Sequence, residues 1–335
     1  MNAYIISLNN PTQLINQVSE FGFNPILIKG VNGKDLTNQE IINNTTLMCS
    51  LICPKSTIGI AMSHILIWEK FLKTKQKTAI VLEDDVVFTK NFKNQFDIDM
   101  DNVPSNFDLL YLGCFGCMNN INFYTIVGSM SNLINLNAKN INKYINKPAF
   151  VAATHAYVIS RKGAKRLLSH LKNKIEFHID YSIQKLIRDD LITVYGLNKR
   201  IVYQTSTDDT MSTNVSSNHP ILINNILSNY YIDTKVKASY ATTFVIARVG
   251  DVNLSLTSLL FILFGIVLAA SNVDIYKISI GYIILSTPDI YIKYDNVMIL
   301  IHYLLLIIPF IIFKELDIWP KVDNLAQHGI YNIEK

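Results

Sequence analysis

At 335 residues the chain has room for one large domain or two smaller ones, with ample core. Half of it is hydrophobic, 17% is charged and the mean hydropathy is +0.24, which is high for a wholly soluble protein. A net charge of +4, dispersed along the chain, is too small to argue for a nucleic-acid partner, and none is expected. The average hides a division near Thr243: residues 1–243 read as a globular unit, and 244–335 as an apolar, membrane-anchoring region.

Tyr4 to Leu8 reads as a strand, too short and without the basic start of a signal peptide. Pro11 to Phe21 predicts an amphipathic helix with Leu14, Ile15 and Val18 on one face. Pro25 to Lys29 is a second strand, broken by Gly30-Val31-Asn32-Gly33. Strand, helix and strand in close succession open a parallel α/β sheet. Ile58 to Lys73 predicts a helix and Ala79 to Leu82 the central strand, which Val86 to Phe88 continues after a break. Phe107 to Leu112 is a strand; 119–146 carries no clear period. Ala156 to Ile159 is another strand, and Ser160 caps a helix from Arg161 to Leu171. Asp180 stands before a short helix whose inner face carries Ile183, Leu186 and Ile187; Val194-Tyr195 and Ile201 to Tyr203 are the last strands.

The break in the central strand is Glu83-Asp84-Asp85. Burying unpaired carboxylates costs on the order of several kcal/mol each. Placing them at the carboxyl end of a strand, facing a crevice where a divalent cation supplies charge, relieves that cost. A solvated acidic turn is the plainer alternative. Cys49 and Cys53, and Cys114 and Cys117, form two close pairs without zinc-type His spacing, so free thiols in a reducing compartment are expected.

Val252 to Val273 is charge-free for 22 residues, about 33 Å of helix, and Asn296 to Phe313 for 18, about 27 Å. Both lengths suffice to span a bilayer. Between them Lys277 and Asp289 bracket a shorter apolar run, so 275–292 is a third, re-entrant or interfacial segment. Burial of these helices in a soluble domain is the alternative. Lys235, Lys237 and Arg248 before the two spans, with Lys314 and Lys321 after them, outnumber Lys277 and Lys293 between. That bias places both flanks, and the globular unit, in the cytosol.

Several stretches, in order, resemble glycosyltransferase family 25, which includes lipopolysaccharide glycosyltransferases and procollagen galactosyltransferases. They are Tyr4-Ile5-Ile6-Ser7-Leu8, the turn Gly30 to Gly33, and the helix Ile58-Gly59-Ile60-Ala61-Met62-Ser63-His64-Ile65-Leu66-Ile67-Trp68. Val81 to Val86, Leu109 to Gly113, Thr154 to Ala164 and His178-Ile179-Asp180 follow. Ile60 departs from the family's Cys, and Asn9-Asn10-Pro11 from its Asp-Arg.

The resemblance implies a GT-A-type, Rossmann-like fold, a nucleotide-sugar donor (a UDP-sugar) and a divalent metal, manganese or magnesium. It implies transfer of a hexose, galactose or glucose, with inversion, to a hydroxyl of a glycan, lipid-linked glycan or protein. It assigns Asp85 to the metal and Glu83 to the metal or the donor ribose. Asp84, Ser63, His64, Val31 and Asn32 fall at the donor site, though His64 also reads as a hydrogen-bonded core histidine. Asp180 is the candidate general base, or a helix cap, or both. Asp208 and Asp209 are alternate bases. A metal-dependent phosphotransferase and a non-catalytic membrane scaffold are rival readings; no Walker-type loop supports the first.

Overall fold

The computed structural model describes residues 1–117, 138–205, 220–233, 236–250, 252–271, 273–292 and 296–316. Strand β1 (Asn2–Ser7) is buried throughout and pairs in parallel with β2 (Asn24–Lys29) and β3 (Thr78–Glu83). Helix α1 (Thr12–Glu20) makes the first crossover and buries Leu14 and Val18. After β2 come two short helices the periodicity did not announce, α2 (Asn38–Asn44) and α3 (Leu47–Ile52). Their N-caps were readable: Thr37 forms a capping box with Glu40, and Thr46 caps α3 through the Cys49 amide. Helix α4 (Lys55–Leu72) starts directly after Pro54 and buries Trp68 and Phe71.

Strand β4 (Val86–Phe88) does not continue β3 in the sheet. It pairs antiparallel with β10 (Val202–Gln204) as a separate ribbon, because the turn at Asp84-Asp85 carries the chain away from the sheet. Between these two lie α5 (Phe92–Asn102), β5 (Leu109–Phe115), β6 (Lys139–Asn140), β7 (Ile145–Lys147) and β8 (Ala152–Ser160). Helices α6 (Arg161–Leu171) and α7 (Ile179–Arg188) and strand β9 (Val194–Leu197) complete the set. Ser160 caps α6 as expected, accepting from the Gly163 amide at 3.0 Å.

The main sheet runs β2-β1-β3-β8-β5-β9-β7-β6, mixed in direction because β8 is antiparallel to both β3 and β5. Alternation divides its side chains between two cores. Tyr4, Ile6, Val81, Tyr111 and Tyr157 meet α4, α6 and α7, while Ala3, Ile5, Ile80, Leu82 and Val158 meet α1 and α5. The four cysteines are paired, Cys49 with Cys53 and Cys114 with Cys117, where separate thiols were expected. Local geometry accounts for this. The first pair closes the last turn of α3, with Cα atoms 4.7 Å apart; the second closes a bend at Gly116, with Cα atoms 5.7 Å apart.

Beyond the sheet follow α8 (Ile221–Leu227), the pair β11 (Tyr231–Asp233) and β12 (Val236–Lys237), and α9 (Ala238–Thr243). A hairpin of β13 (Val245–Val249) and β14 (Val252–Ser255) then leads into α10 (Leu256–Ala269). The expected 252–273 segment is thus part strand. Ser255 and Ser258 form a capping box that starts the helix at Leu256, leaving 14 residues, about 21 Å. Helix α11 (Ile275–Ile292) occupies the segment whose nature was open, and α12 (Asn296–Glu315) contains Val297–Glu315, long and apolar enough to cross a membrane. Helices α10 and α12 lie side by side: a Cβ on Gly265 would stand 2.2 Å from the Leu306 carbonyl oxygen. Lys314 Nζ donates to the Val273 carbonyl at 3.0 Å, so the end of α12 lies by the α10–α11 link and α11 runs in the opposite direction to both.

Candidate active site

A cleft of about 350 Å³ opens at the carboxyl ends of β1, β2 and β3, where ligands bind in open α/β sheets. One wall is the turn Gly30 to Gly33 lying on α4. That approach requires two glycines, since a Cβ on Gly59 would meet the Val31 oxygen at 2.4 Å and one on Gly33 the Lys55 oxygen at 2.1 Å. Ser63 fixes the turn by accepting from the Val31 amide and donating to the Gly59 carbonyl, both at 2.8 Å. Asn32 accepts from the Lys34 amide at 3.2 Å and stiffens the bend. Ser63, Val31 and Asn32 therefore meet in the cleft, with Ile60 as half-buried wall, not core.

The opposite wall is the acidic turn, whose three carboxylates diverge. Asp84 is exposed and accepts from the Ser7 hydroxyl. Asp85 takes long contacts from the Gln204 amide, at 3.3 and 3.4 Å, and its carbonyl accepts from the Thr205 amide at 2.8 Å. Glu83 turns inward with its side chain 18% exposed, accepts from Thr154 at 3.1 Å and lies 3.6 Å from His64 Nε2. Burial alone would raise its pKa, but its interactions with the neighbouring His64, His155 and Thr154 outweigh that and hold the carboxyl below its usual range.

His64 lies wholly buried behind Glu83 and does not line the cleft. The Tyr157 hydroxyl accepts from Trp68 Nε1 at 2.9 Å and has one proton to give to His64 Nδ1, also at 2.9 Å. The ring's other nitrogen, Nε2, faces Glu83. His155 stands close by, its pKa pushed down to about 4 by burial, so it is neutral at physiological pH. Thr154 and Tyr157 were missed as site residues. They sit in the same β8 stretch as the recognised motif, and only the antiparallel register of β8 on β3 brings them to Glu83 and His64.

The family model for glycosyltransferase family 25 (LPS biosynthesis protein) matches residues 1–183, more than half of the chain and every wall of this cleft but one. The chain belongs to glycosyltransferase family 25. A curated relative, the bovine "Probable inactive glycosyltransferase 25 family member 3", is 30% identical over 118 residues, 34% of this chain. The chain spans 18% of that relative's length. Among solved structures, the crystal structure of A197 from STIV aligns over 65% of this chain and all of its own, at 11% identity and a TM-score of 0.32, too slight a likeness to carry an argument.

In this family 25 chain Asp180 is the second residue of α7, not the residue before it. Its carboxylate accepts from the Tyr181 amide at 2.8 Å and the Ala153 amide at 3.3 Å. Ala153 has φ +70°, a left-handed conformation that a non-glycine residue adopts at a cost of about 1–3 kcal/mol. Asp180 thus helps hold the bend that aims Thr154 at Glu83. The sheet order sets it on the β8 side of β3, with the glycine turn on the β1–β2 side. Asp208 and Asp209 lie outside the described residues.

Among the described residues, no three carboxylate, imidazole or thiol groups converge as a metal cage. Asp84 and Asp85 nevertheless face the cleft. One or two carboxylates with substrate phosphates completing the shell is a common way of holding a magnesium-like ion, and these two fit it.

Proposed function

We propose that this chain is an active, metal-dependent hexosyltransferase of GT-A type. It moves galactose or glucose from a nucleotide sugar, a UDP-sugar, to a hydroxyl of a glycan, lipid-linked glycan or protein, with inversion. The observation that carries the reading is the cleft itself. A glycine turn pinned by Ser63 faces Asp84 and Asp85 across the carboxyl ends of three parallel strands. The turn offers backbone to a nucleoside, and the two aspartates would hold the metal. When bound, that ion would neutralise charge on the departing diphosphate. Glu83, committed inward, would hold the acidic turn in place. Asp180, on the other flank of that turn, would take the proton of the acceptor hydroxyl.

The C-terminal helices would anchor this site to a membrane, with the catalytic domain in the cytosol. The bovine relative's name favours a second reading, a transferase fold without activity. The presence of Asp85 and Asp180 argues against it. The test is a panel of nucleotide sugars offered to the full chain in detergent with manganese, reading free nucleoside diphosphate. Release from one donor is expected. No release from any donor, with or without glycan and lipid-linked acceptors, would leave the inactive fold as the better reading.

A further inference from the structure

One wall of the cleft lies beyond the family match. The β13–β14 hairpin, which joins the catalytic domain to α10, brings Arg248, Gly250 and Asn253 to the cleft. Arg248 is half-buried and holds the hairpin down: Nε donates to the Cys53 carbonyl and Nη2 to that of Ser50, both at 2.7 Å. Those are the orphan carbonyls at the end of α3, where a cation is favoured. A third, long contact runs from Nη1 to the Gly250 carbonyl at 3.4 Å. A guanidinium has five N–H groups, so two remain beyond these three contacts, on a residue that lines the cleft. Asn253 is exposed and stands beside Arg248 in the hairpin register. Lys34 and Lys55 line the same cleft, so it carries cationic groups as well as Glu83, Asp84 and Asp85.

We infer that this hairpin is part of the donor site: Arg248 and Asn253 reach the diphosphate of a bound nucleotide, so the membrane-proximal segment completes a pocket that the family domain leaves open. The inference rests on the nucleotide-sugar reading above. A diphosphate is a doubly charged, oxygen-rich group, and an arginine fork with a neighbouring amide suits its geometry. Arg248 would serve both ends at once, since the residue that ties the hairpin to α3 also lines the cleft. The 1–243 fragment, although it holds the whole family match, therefore lacks one wall of its pocket.

The experiment measures binding of UDP with manganese to the full chain in detergent, by calorimetry. Asn253→Asp, a substitution at an exposed position, puts a negative charge against the diphosphate and should weaken binding about tenfold or more. Arg248→Gln should weaken it at least as much, and Arg248→Lys less. Asn253→Ala should lose about threefold to tenfold, the worth of one hydrogen bond. Unfolding temperatures of the aspartate and alanine variants should stay at the wild-type value, which separates lost contact from lost fold. If the wild-type chain binds UDP and both Asn253 variants bind it equally well, the hairpin has no part in the site. If the wild-type chain binds no nucleoside diphosphate at all, the donor reading itself fails and this inference with it.

Discussion

The sheet domain and the C-terminal helices obey opposite burial rules. In the sheet, β1 and β3 turn Ile5, Ile80 and Val81 inward, and buried polar groups such as His64 and Thr154 behind the acidic turn are set within that apolar core. In the helices many large apolar side chains point outward, Val267 at 63% and Ile284 at 65% exposure among them, while Ser258, Ser286, Asp289 and His302 are buried. Ser258 and His302 approach at 3.4 Å between α10 and α12, and Asp289 accepts from the Ile221 amide at 3.1 Å. Water drives the first arrangement, because burying apolar area removes it from water. The second makes sense where the surroundings are themselves apolar, so that polar groups turn inward for partners. The contrast is better support for a membrane region than the length of any single helix.

The largest effect expected from that contrast is all-or-none. The full chain should stay with the membrane through alkaline carbonate, whereas a soluble multidomain protein would wash off. Because α10, α11 and α12 reverse direction in turn, a tag after residue 335 should be protected from protease in vesicles whose cytosolic face is outward. Digestion of the tag would restore the two-span arrangement that the charge pattern suggested. The paired cysteines sharpen the question of sides. A cytosolic sheet domain should react with maleimide at Cys49, Cys53, Cys114 and Cys117 after denaturation without reductant, since disulfides persist in oxidising compartments. Blocked sulfurs there would put the domain on the other side.

Within the sheet domain the next largest effect belongs to Asp180. As a base, its replacement in Asp180→Asn should cost transfer about two to four decades while donor binding remains. The acidic limb of the pH profile should vanish with it. A purely structural Asp180 predicts something else. Asn can replace only one of the two acceptor oxygens now facing Ala153 and Tyr181, so stability would fall by about 1 kcal/mol and activity only in step with folding. Asp85→Asn comes third, with a loss of at least about two decades, and chelation should abolish turnover until manganese is returned. Full turnover in excess chelator would remove the metal from the scheme.

The smallest effect tests the burial rule itself. Asp99 is 2% exposed on α5, and burial pushes its carboxyl up to about 6 against the Gln95 hydrogen bond. The folded state keeps its proton to higher pH than the unfolded chain does. The resulting penalty is therefore fully developed above about pH 6 and absent below the unfolded value near 3.8. Asp99→Asn keeps the Gln95 contact and should stabilise the protein by about 1–3 kcal/mol at pH 7.5 and by little near pH 4. An equal gain at both values would show that the charge was never the cause. His155 acts in the opposite sense. Buried and neutral, it contributes stability above pH 6.5 that is lost as the pH falls toward about 4.

Local pattern alone determined much of this protein. The β1–α1–β2 opening, the central strand with its carboxylates, the Ser160 cap and the family all follow from short-range periodicity, capping chemistry and residue order. The apolar C-terminal region was equally plain, though its first helix proved shorter, since Ser255 and Ser258 fix a start that hydropathy cannot see. What the tertiary structure decided is where side chains go once strands far apart in sequence lie together. Glu83, Asp84 and Asp85 are consecutive yet face three different neighbours, because β8, β1 and β10 each present a partner from another part of the chain. His64 turned out to stand behind Glu83, and Asp180 to brace the Ala153 bend, through contacts between residues 19 and 27 positions apart. Arg248 lies 195 residues from the Cys53 carbonyl that it binds. No periodicity encodes a contact of that kind, since it exists only after the sheet, α3 and the hairpin have assembled.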